Sequence, residues 1–216
     1  MHIQPGTLTP TTVMAANAVC VSVLASYSKF LFKQPAVVVR TLIAAGFFSL
    51  FMESFHMNVG PSELHFVGAM IIYLGFGFLP TLFGFALGLL LQGLLFEPGD
   101  LPYLAVNSLS LIVPLIAVHY AQGRSLFQSD TRRPIGWPTI LRLDGMYYAG
   151  VTLMVGLWLL GARNPVPFAA WAHFALSYLA LVACEPFFTY ASVRLLKRHQ
   201  QRPLVALCTA VGLLDV

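Results

Sequence analysis

The sequence predicts an all-α integral membrane protein with about seven transmembrane helices in one bundle. Two features of composition indicate this fold class: 58% of the 216 residues are hydrophobic and only 9% are charged. A soluble globular domain carries roughly 25% charged residues, so a water-exposed surface cannot be built from this chain. Because a transmembrane helix needs ~20 apolar residues, the length allows about seven spans joined by short loops.

Seven apolar runs are bounded by charged residues, proline or glycine. They cover residues 11–28, 37–55, 64–78, 80–96, 102–120, 143–161 and 168–195. The third and fourth runs are separated only by the Gly77-Phe78-Leu79-Pro80 stretch, where glycine and proline favour a break. We expect a single transmembrane domain over residues 1–200, with an ordered N-terminal segment outside, and a short cytoplasmic or interfacial tail over 201–216.

The basic residues determine the expected orientation. With seven spans and the N-terminus outside, eleven of the twelve lysines and arginines are cytoplasmic and only Arg163 falls outside, which follows the positive-inside rule. The cytoplasmic set is Lys29, Lys33, Arg40, Arg124, Arg132, Arg133, Arg142, Arg194, Lys197, Arg198 and Arg202. Six spans would place most of these residues outside. The net charge of +4 therefore reflects topology, and no nucleic acid partner is expected.

The N-terminus has features of a metal ligand. The first twelve residues lack the basic and apolar regions of a cleavable signal peptide, so we expect Met1 to remain in the mature protein. His2 then offers its imidazole, its backbone nitrogen and the α-amine of Met1 as one chelating set. One further imidazole completes four nitrogens, which favour square-planar or tetragonal Ni(II), Cu(II) or low-spin Co(II) over tetrahedral zinc.

The expected topology also brings histidines and carboxylates together on the outer face. His56 lies in the loop between the second and third spans, and His65 begins the third. The acidic residues of this face are Glu53, Glu63, Glu97 and Asp100. A face of this composition suits a divalent cation. The alternative interpretations are an interfacial histidine at His65 and a solvated loop residue at His56.

Several segments resemble one family of membrane transport proteins. They are MHIQPGTL at the start, GPSELHFVG at 60–68, LQGLLF at 91–96 followed by Asp100 and Asn107, and EPFFT at 185–189. These segments are similar, in order, to motifs of the CbiM/NikM-type substrate-binding membrane subunits of energy-coupling-factor cobalt and nickel transporters. The resemblance covers residues 1 to about 189.

This resemblance implies a site, a substrate and partners. By motif, the metal ligands are Met1, His2 and His65, and the transported substrate is Ni²⁺ or Co²⁺. The expected location is the bacterial or archaeal plasma (inner) membrane, in contact with lipid. The implied partners are a transmembrane coupling subunit and cytoplasmic ATPases, because the chain itself carries no GxxxxGK[ST] nucleotide motif.

Three polar side chains fall within or at the ends of apolar spans, where an unpaired polar group is costly. For Gln92 and Asn107 we consider two roles: support of His65 or the N-terminal segment, and an interhelical hydrogen bond. For Glu185 we consider binding of the transported cargo, and we expect instead that it pairs with a basic neighbour such as Arg142.

Small residues lie on one face of the first span, at Ala18, Ser22 and Ser26. Such a stripe permits close approach of another helix. In the resembled family, small residues on the first long span contact the coupling subunit. Packing within the bundle is the other interpretation of this stripe.

Two other functions stay open at this stage. A membrane component that binds an organic cofactor or vitamin is compatible with the 13% aromatic content. An intramembrane enzyme is disfavoured because the spans hold no GxSxG, no HExxH and no paired aspartates. We therefore predict a metal-binding transport subunit that is not an enzyme.

Overall fold

The computed structural model describes residues 2–31, 33–59, 62–128 and 134–215. Its strands are β1 (His2–Ile3), β2 (His56–Val59) and β3 (Ser62–His65). Its α-helices are α1 (Pro10–Leu31), α2 (Pro35–Ser54), α3 (Ala69–Phe76), α4 (Phe78–Leu95), α5 (Leu104–Ala121), α6 (Trp137–Leu160), α7 (Phe168–Arg198) and α8 (Pro203–Cys208). Shorter 3₁₀ segments occupy Pro98–Tyr103, Gly123–Phe127 and Val211–Leu213.

Six helical segments in the described ranges are long and apolar enough to cross a membrane. They are α1, α2, α4, α5 with the 3₁₀ turn before it, α6 and α7. The predicted all-α membrane bundle is therefore confirmed, and six of the seven expected spans have full-length helices.

The third predicted span, 64–78, has a different form. The chain enters it in β3, passes Gly68 in the left-handed conformation at φ 61°, and forms the eight-residue α3 before Gly77 at φ 93°. Eight helical residues cover about 12 Å, whereas the hydrocarbon core of a bilayer is about 30 Å thick. Hydropathy missed this because a fully buried strand and a fully buried helix are both continuous apolar runs.

The described part of the chain nevertheless crosses the bundle again between α2 and α4, because these two helices run in the same direction. A Cβ on Gly88 of α4 would lie 2.5 Å from the ring of Phe48 in α2. One turn further along both helices, Gln92 donates a hydrogen bond to Glu53 at 3.2 Å. The chain must return between two parallel helices, and α3 with its flanking residues makes that return.

Contacts between the other helices fix their directions. α1 is parallel to α5, whereas α5 and α6 are antiparallel, as are α6 and α7. The contacts are Leu8–Tyr103 and Tyr27–Tyr120 for α1 and α5, Ser110–Trp158 and Pro114–Gly150 for α5 and α6, and Thr152–Trp171 and Tyr148–Glu185 for α6 and α7. Hence α1, α3, α5 and α7 run in one direction through the bundle, and α2, α4 and α6 run in the other.

The two ends of the bundle carry different structures. The strands form an antiparallel sheet in the order β1-β3-β2 at one end, which we call the sheet end. At the opposite tail end, residues 203–215 pack against α2 and α3. Arg40 donates to the carbonyls of Ala206 and Leu207 at 3.1 and 3.0 Å, and the Ala210 N–H donates to the Gly75 carbonyl at 2.7 Å.

The close approach of α2 and α4 makes Gly88 sensitive to substitution. We predict that Gly88→Ala lowers the stability of the bundle by about 1–3 kcal/mol, because the added methyl group overpacks the contact with Phe48. Gly46→Ala on α2 is the matched control, since its Cβ would meet nothing within 4 Å. Thermal unfolding in detergent measures both, and equal melting temperatures would contradict the predicted packing.

Candidate metal site

His65 ends β3, and its imidazole is held between two elements. The side chain is only 1% exposed. Its Nδ1 lies 3.4 Å from the carbonyl oxygen of Met52 in the last turn of α2, and its Nε2 lies 3.2 Å from the carboxylate of Glu63. A carbonyl that accepts a hydrogen bond from the Nδ1–H group orients the ring and leaves the lone pair of Nε2 for a metal ion, which is a common arrangement of metal-binding histidines.

The N-terminal segment lies on the strand that carries His65. β1 pairs antiparallel with β3, with His2 opposite Glu63 and Ile3 opposite Ser62. Paired strands are ~4.7–4.9 Å apart. The backbone of His2 is therefore next to the residues that lead into His65, whereas Met1 lies outside the described residues.

Two side chains at the start of α5 and in the 3₁₀ turn before it anchor this N-terminal segment. The amide oxygen of Asn107 accepts a hydrogen bond from the N–H of Ile3 at 2.9 Å. The hydroxyl of Tyr103 accepts from the N–H groups of Gly6 and Leu8 at 2.9 and 3.0 Å. The sequence gives no local signal for the role of Tyr103, because Gly6 and Leu8 are almost a hundred residues away.

Apolar burial fixes the same segment. Ile3 is 0% exposed and Leu8 is 2% exposed. Fully burying a side chain of this kind contributes about 1.5–3 kcal/mol. Together with the hydrogen bonds to Asn107 and Tyr103, these contacts hold the residues that follow His2 in one place.

Gln92 has a different environment from Asn107. Its Nε2 donates to Glu53 at 3.2 Å, which links the ends of α4 and α2, and this is the interhelical role considered for it. Its Oε1 is buried and has no hydrogen-bond partner among the described residues. Among the described residues, the structure therefore shows a hydrogen bond to the N-terminal segment for Asn107 and none for Gln92.

Carboxylates surround the sheet end, as the sequence predicted. The pKa of Glu97 is raised, first by partial burial and then by the negative charges of Asp100, Glu63 and Glu53. A carboxyl whose pKa is raised in the folded state stabilises that state at low pH, where the carboxyl is protonated. The contribution begins to fall once the pH exceeds the ordinary pKa of the carboxyl, and it is lost as the pH rises through the raised pKa. A bound cation would relieve the repulsion among these groups, since opposite charge favours the ionised form.

The cavity beside these carboxylates is small. It has a volume of about 10 Å³ and is bordered by Gln92, Glu97, Asp100 and Asn107, among others. Pockets for drug-sized organic ligands measure roughly 300–1,000 Å³. A space of about one water molecule fits an ion or its hydration water and does not fit a vitamin.

Comparison with known proteins identifies the family. The family model CbiM, described as the cobalt uptake substrate-specific transmembrane region, matches residues 2–203. The chain belongs to the CbiM family. Membership makes it a multi-pass membrane component of metal uptake rather than an enzyme. No curated protein sequence is similar enough to count as a match.

Two solved structures share the fold of this CbiM-family chain. The crystal structure of a transition metal transporter is 20% identical, with a TM-score of 0.72, and the alignment covers 95% of this chain and 96% of that one. The crystal structure of a truncated transition metal transporter is 21% identical, with a TM-score of 0.70, and the alignment covers 92% and 99%.

Glu185, in the late CbiM-like motif, does not pair with Arg142 as expected. Arg142 is exposed, whereas Glu185 is fully buried and accepts hydrogen bonds from the Met70 N–H at 3.2 Å and from the Tyr148 hydroxyl. The expectation was wrong because the short α3 begins inside the bundle. Its first N–H groups need an acceptor there, and a carboxylate is the favoured partner of a helix N-terminus.

His56 of this CbiM-family chain lies in β2, where its Cα is the register partner of His65. Its backbone therefore belongs to the same sheet as His2 and His65. Within the described residues, no group of three His, Cys, Asp or Glu side chains has a metal-holding arrangement. The predicted ligand set takes an amine from Met1 and a backbone nitrogen from His2, which such a group would not include.

The Asn107 contact gives a direct test of how the N-terminal segment is held. Replacing Asn107 with Ala leaves the buried N–H of Ile3 without an acceptor, which costs about 1–3 kcal/mol. We predict that hydrogen exchange of residues 3–8 becomes roughly 5- to 150-fold faster. Asn17→Ala is the control, because its exposed amide bonds only to Val13 within α1. Unchanged exchange in Asn107→Ala would exclude the anchoring role.

Proposed function

We propose that this chain binds Ni²⁺ or Co²⁺ at the sheet end of the bundle and takes part in uptake of the ion as the substrate-specific component of an energy-coupling-factor transporter. The proposed ligands are the α-amine of Met1, the backbone nitrogen and imidazole of His2, and the imidazole of His65. The antiparallel pairing of β1 with β3 is the observation that carries this proposal. This pairing puts the backbone of His2 opposite Glu63, which lies two residues before His65 in the same strand.

The chemistry of these donors supports the choice of metal. Four nitrogens, one of them a backbone nitrogen, suit a square-planar or tetragonal ion such as Ni(II), Co(II) or Cu(II). Membership of a family described by cobalt uptake favours Co²⁺ and the similar Ni²⁺ over Cu²⁺. Glu63 beside Nε2 of His65, with Glu97 and Asp100 nearby, supplies negative charge that attracts the ion.

Charge supports an extracytoplasmic position for the sheet end. Arg163 lies there, with its N–H bonded to the carbonyl of Thr7 at 2.8 Å. The other described lysines and arginines lie toward the tail end, where Arg40 and Lys197 bond to carbonyls of residues 206–214. Under the positive-inside rule the tail end is cytoplasmic, so the ion binds outside.

The small-residue stripe on α1 supports a coupling subunit as partner. Ala18, Ser22 and Ser26 are all exposed, so the stripe does not pack within the bundle. Small residues let another helix approach closely in a membrane. We propose that this face of α1 docks the transmembrane coupling subunit, through which cytoplasmic ATPases supply energy.

The organic cofactor or vitamin considered from the sequence is the weaker alternative. The space beside the carboxylates of the sheet end, about 10 Å³, is much smaller than such a ligand needs. Binding of an organic ligand also gives no role to the pairing of β1 with β3.

Metal titration of purified protein that begins at Met1 tests the proposal. We predict that His65→Ala weakens Ni²⁺ binding by more than about a hundredfold at pH 8, since loss of an outer-shell partner alone costs roughly 10–100-fold. His173→Ala, an exposed histidine of α7, should bind as the wild type does.

A second arm of the titration tests the amine. One residue added before Met1 converts the amine to a peptide and should abolish tight binding. Binding should also weaken between pH 8 and pH 6, because the amine and imidazoles must lose protons to coordinate. Tight binding that survives both His65→Ala and the extension would refute the proposed site.

A further inference from the structure

A second polar cluster lies inside the bundle, between α6 and α7. Both carboxylate oxygens of Asp144, the hydroxyl of Tyr147 and the hydroxyl of Thr189 are buried and have no hydrogen-bond partner among the described residues. All three residues are 0% exposed. Buried polar groups in native proteins are normally paired, so this concentration of unpaired oxygens calls for a partner.

Glu185 belongs to the same cluster. Asp144 lies one helical turn before Tyr148 on α6, and the Tyr148 hydroxyl bonds to Glu185, so both carboxylates lie on the facing sides of α6 and α7. Tyr147 directly precedes Tyr148 on α6. Thr189 lies one helical turn after Glu185 on α7, on the same face. Two carboxylates and three hydroxyls thus converge between two helices.

The two carboxylates have no basic partner within the described residues. Neither Asp144 nor Glu185 is paired with a lysine or arginine in the ranges that the structure describes. Glu185 has the N-terminus of α3 as a partial counter-charge, whereas Asp144 has none. Ionisable residues at membrane depth are costly and mark ion pathways, and one divalent cation matches the two negative charges.

We propose that Asp144 and Glu185, with the hydroxyls of Tyr147, Tyr148 and Thr189, form a second site for the divalent metal ion, deeper in the bundle than the site at the sheet end. This inference rests on the proposed function and extends it. The donors are all oxygens, a set that accepts divalent ions in octahedral geometry but holds Ni²⁺ and Co²⁺ less tightly than nitrogens do.

The position of α3 connects the two sites. Only three residues separate His65 from Ala69, where α3 begins, and the N–H groups of Gly68, Ala69 and Met70 face Glu185. Discontinuous helices of this kind surround ion sites in membrane transporters. The oxygen donors of the inner cluster would therefore give the ion a second, weaker position inside the bundle.

Counting bound Co²⁺ by equilibrium dialysis tests the inference, with the full chain in detergent and Co²⁺ as the probe. The wild type should bind two equivalents, one tight and one at least about tenfold weaker. Asp144→Asn preserves side-chain volume and should lose only the weak equivalent. Tyr147→Phe removes one hydroxyl and should weaken that equivalent several-fold. Asp215→Asn, in the exposed tail, is the matched control and should retain both.

The outcomes separate this inference from the proposed function. His65→Ala should lose the tight equivalent and keep the weak one, and the weak one should show the faint d–d absorption of octahedral oxygen coordination. If the wild type and Asp144→Asn both bind only one equivalent of Co²⁺, the inner site is overturned, and Asp144 and Glu185 bind protons but no metal ion. Loss of weak binding in Asp215→Asn as well would overturn it too, because the ions would then be bound nonspecifically. Tight binding that persists in His65→Ala would contradict the proposed function alone.

Discussion

The structure depends on one constraint, which is that two consecutive long helices, α2 and α4, run in the same direction side by side. Parallel neighbours oblige the chain to cross the bundle between them, and only residues 55–77 are available for that crossing. Much of this segment is used for the β2–β3 hairpin, which leaves eight residues for α3. The third pass is therefore part strand, part extended chain and part helix. It is tolerated in a membrane because protein surrounds it, with seven of the eight α3 residues buried.

This interrupted pass explains why polar side chains occur inside an apolar bundle. Each break in helical structure leaves backbone N–H groups that lipid cannot satisfy. Glu185 accepts from the start of α3, Asn107 accepts from Ile3 in β1, and Tyr103 accepts from the segment that follows β1. These residues hold the backbone that carries His2 and His65. In our proposal the same irregularity that places the ligands also creates the acidic cluster around Asp144.

The sequence predicted the bundle, because composition is a local signal, and its motifs named candidate metal ligands. The family resemblance at residues 60–68 singled out His65, and the structure puts that residue in the strand paired with β1. The sequence did not predict the form of the third pass, since an apolar run has no periodicity that separates a buried strand from a buried helix. Nor did it identify the partner of Glu185, because the Met70 N–H is 115 residues away in sequence. Asp144 had one local signal, an aspartate within an apolar span, which marks a functional position by default.

The central claim is that the N-terminal segment and His65 together form a nitrogen site for the metal. X-ray absorption spectroscopy of Ni²⁺ bound at one equivalent to the chain that begins at Met1 measures the ligands directly. Our account predicts four nitrogen neighbours in a plane, two of them imidazoles, with one imidazole lost in His65→Ala. Six-coordinate nickel with mainly oxygen neighbours would contradict it.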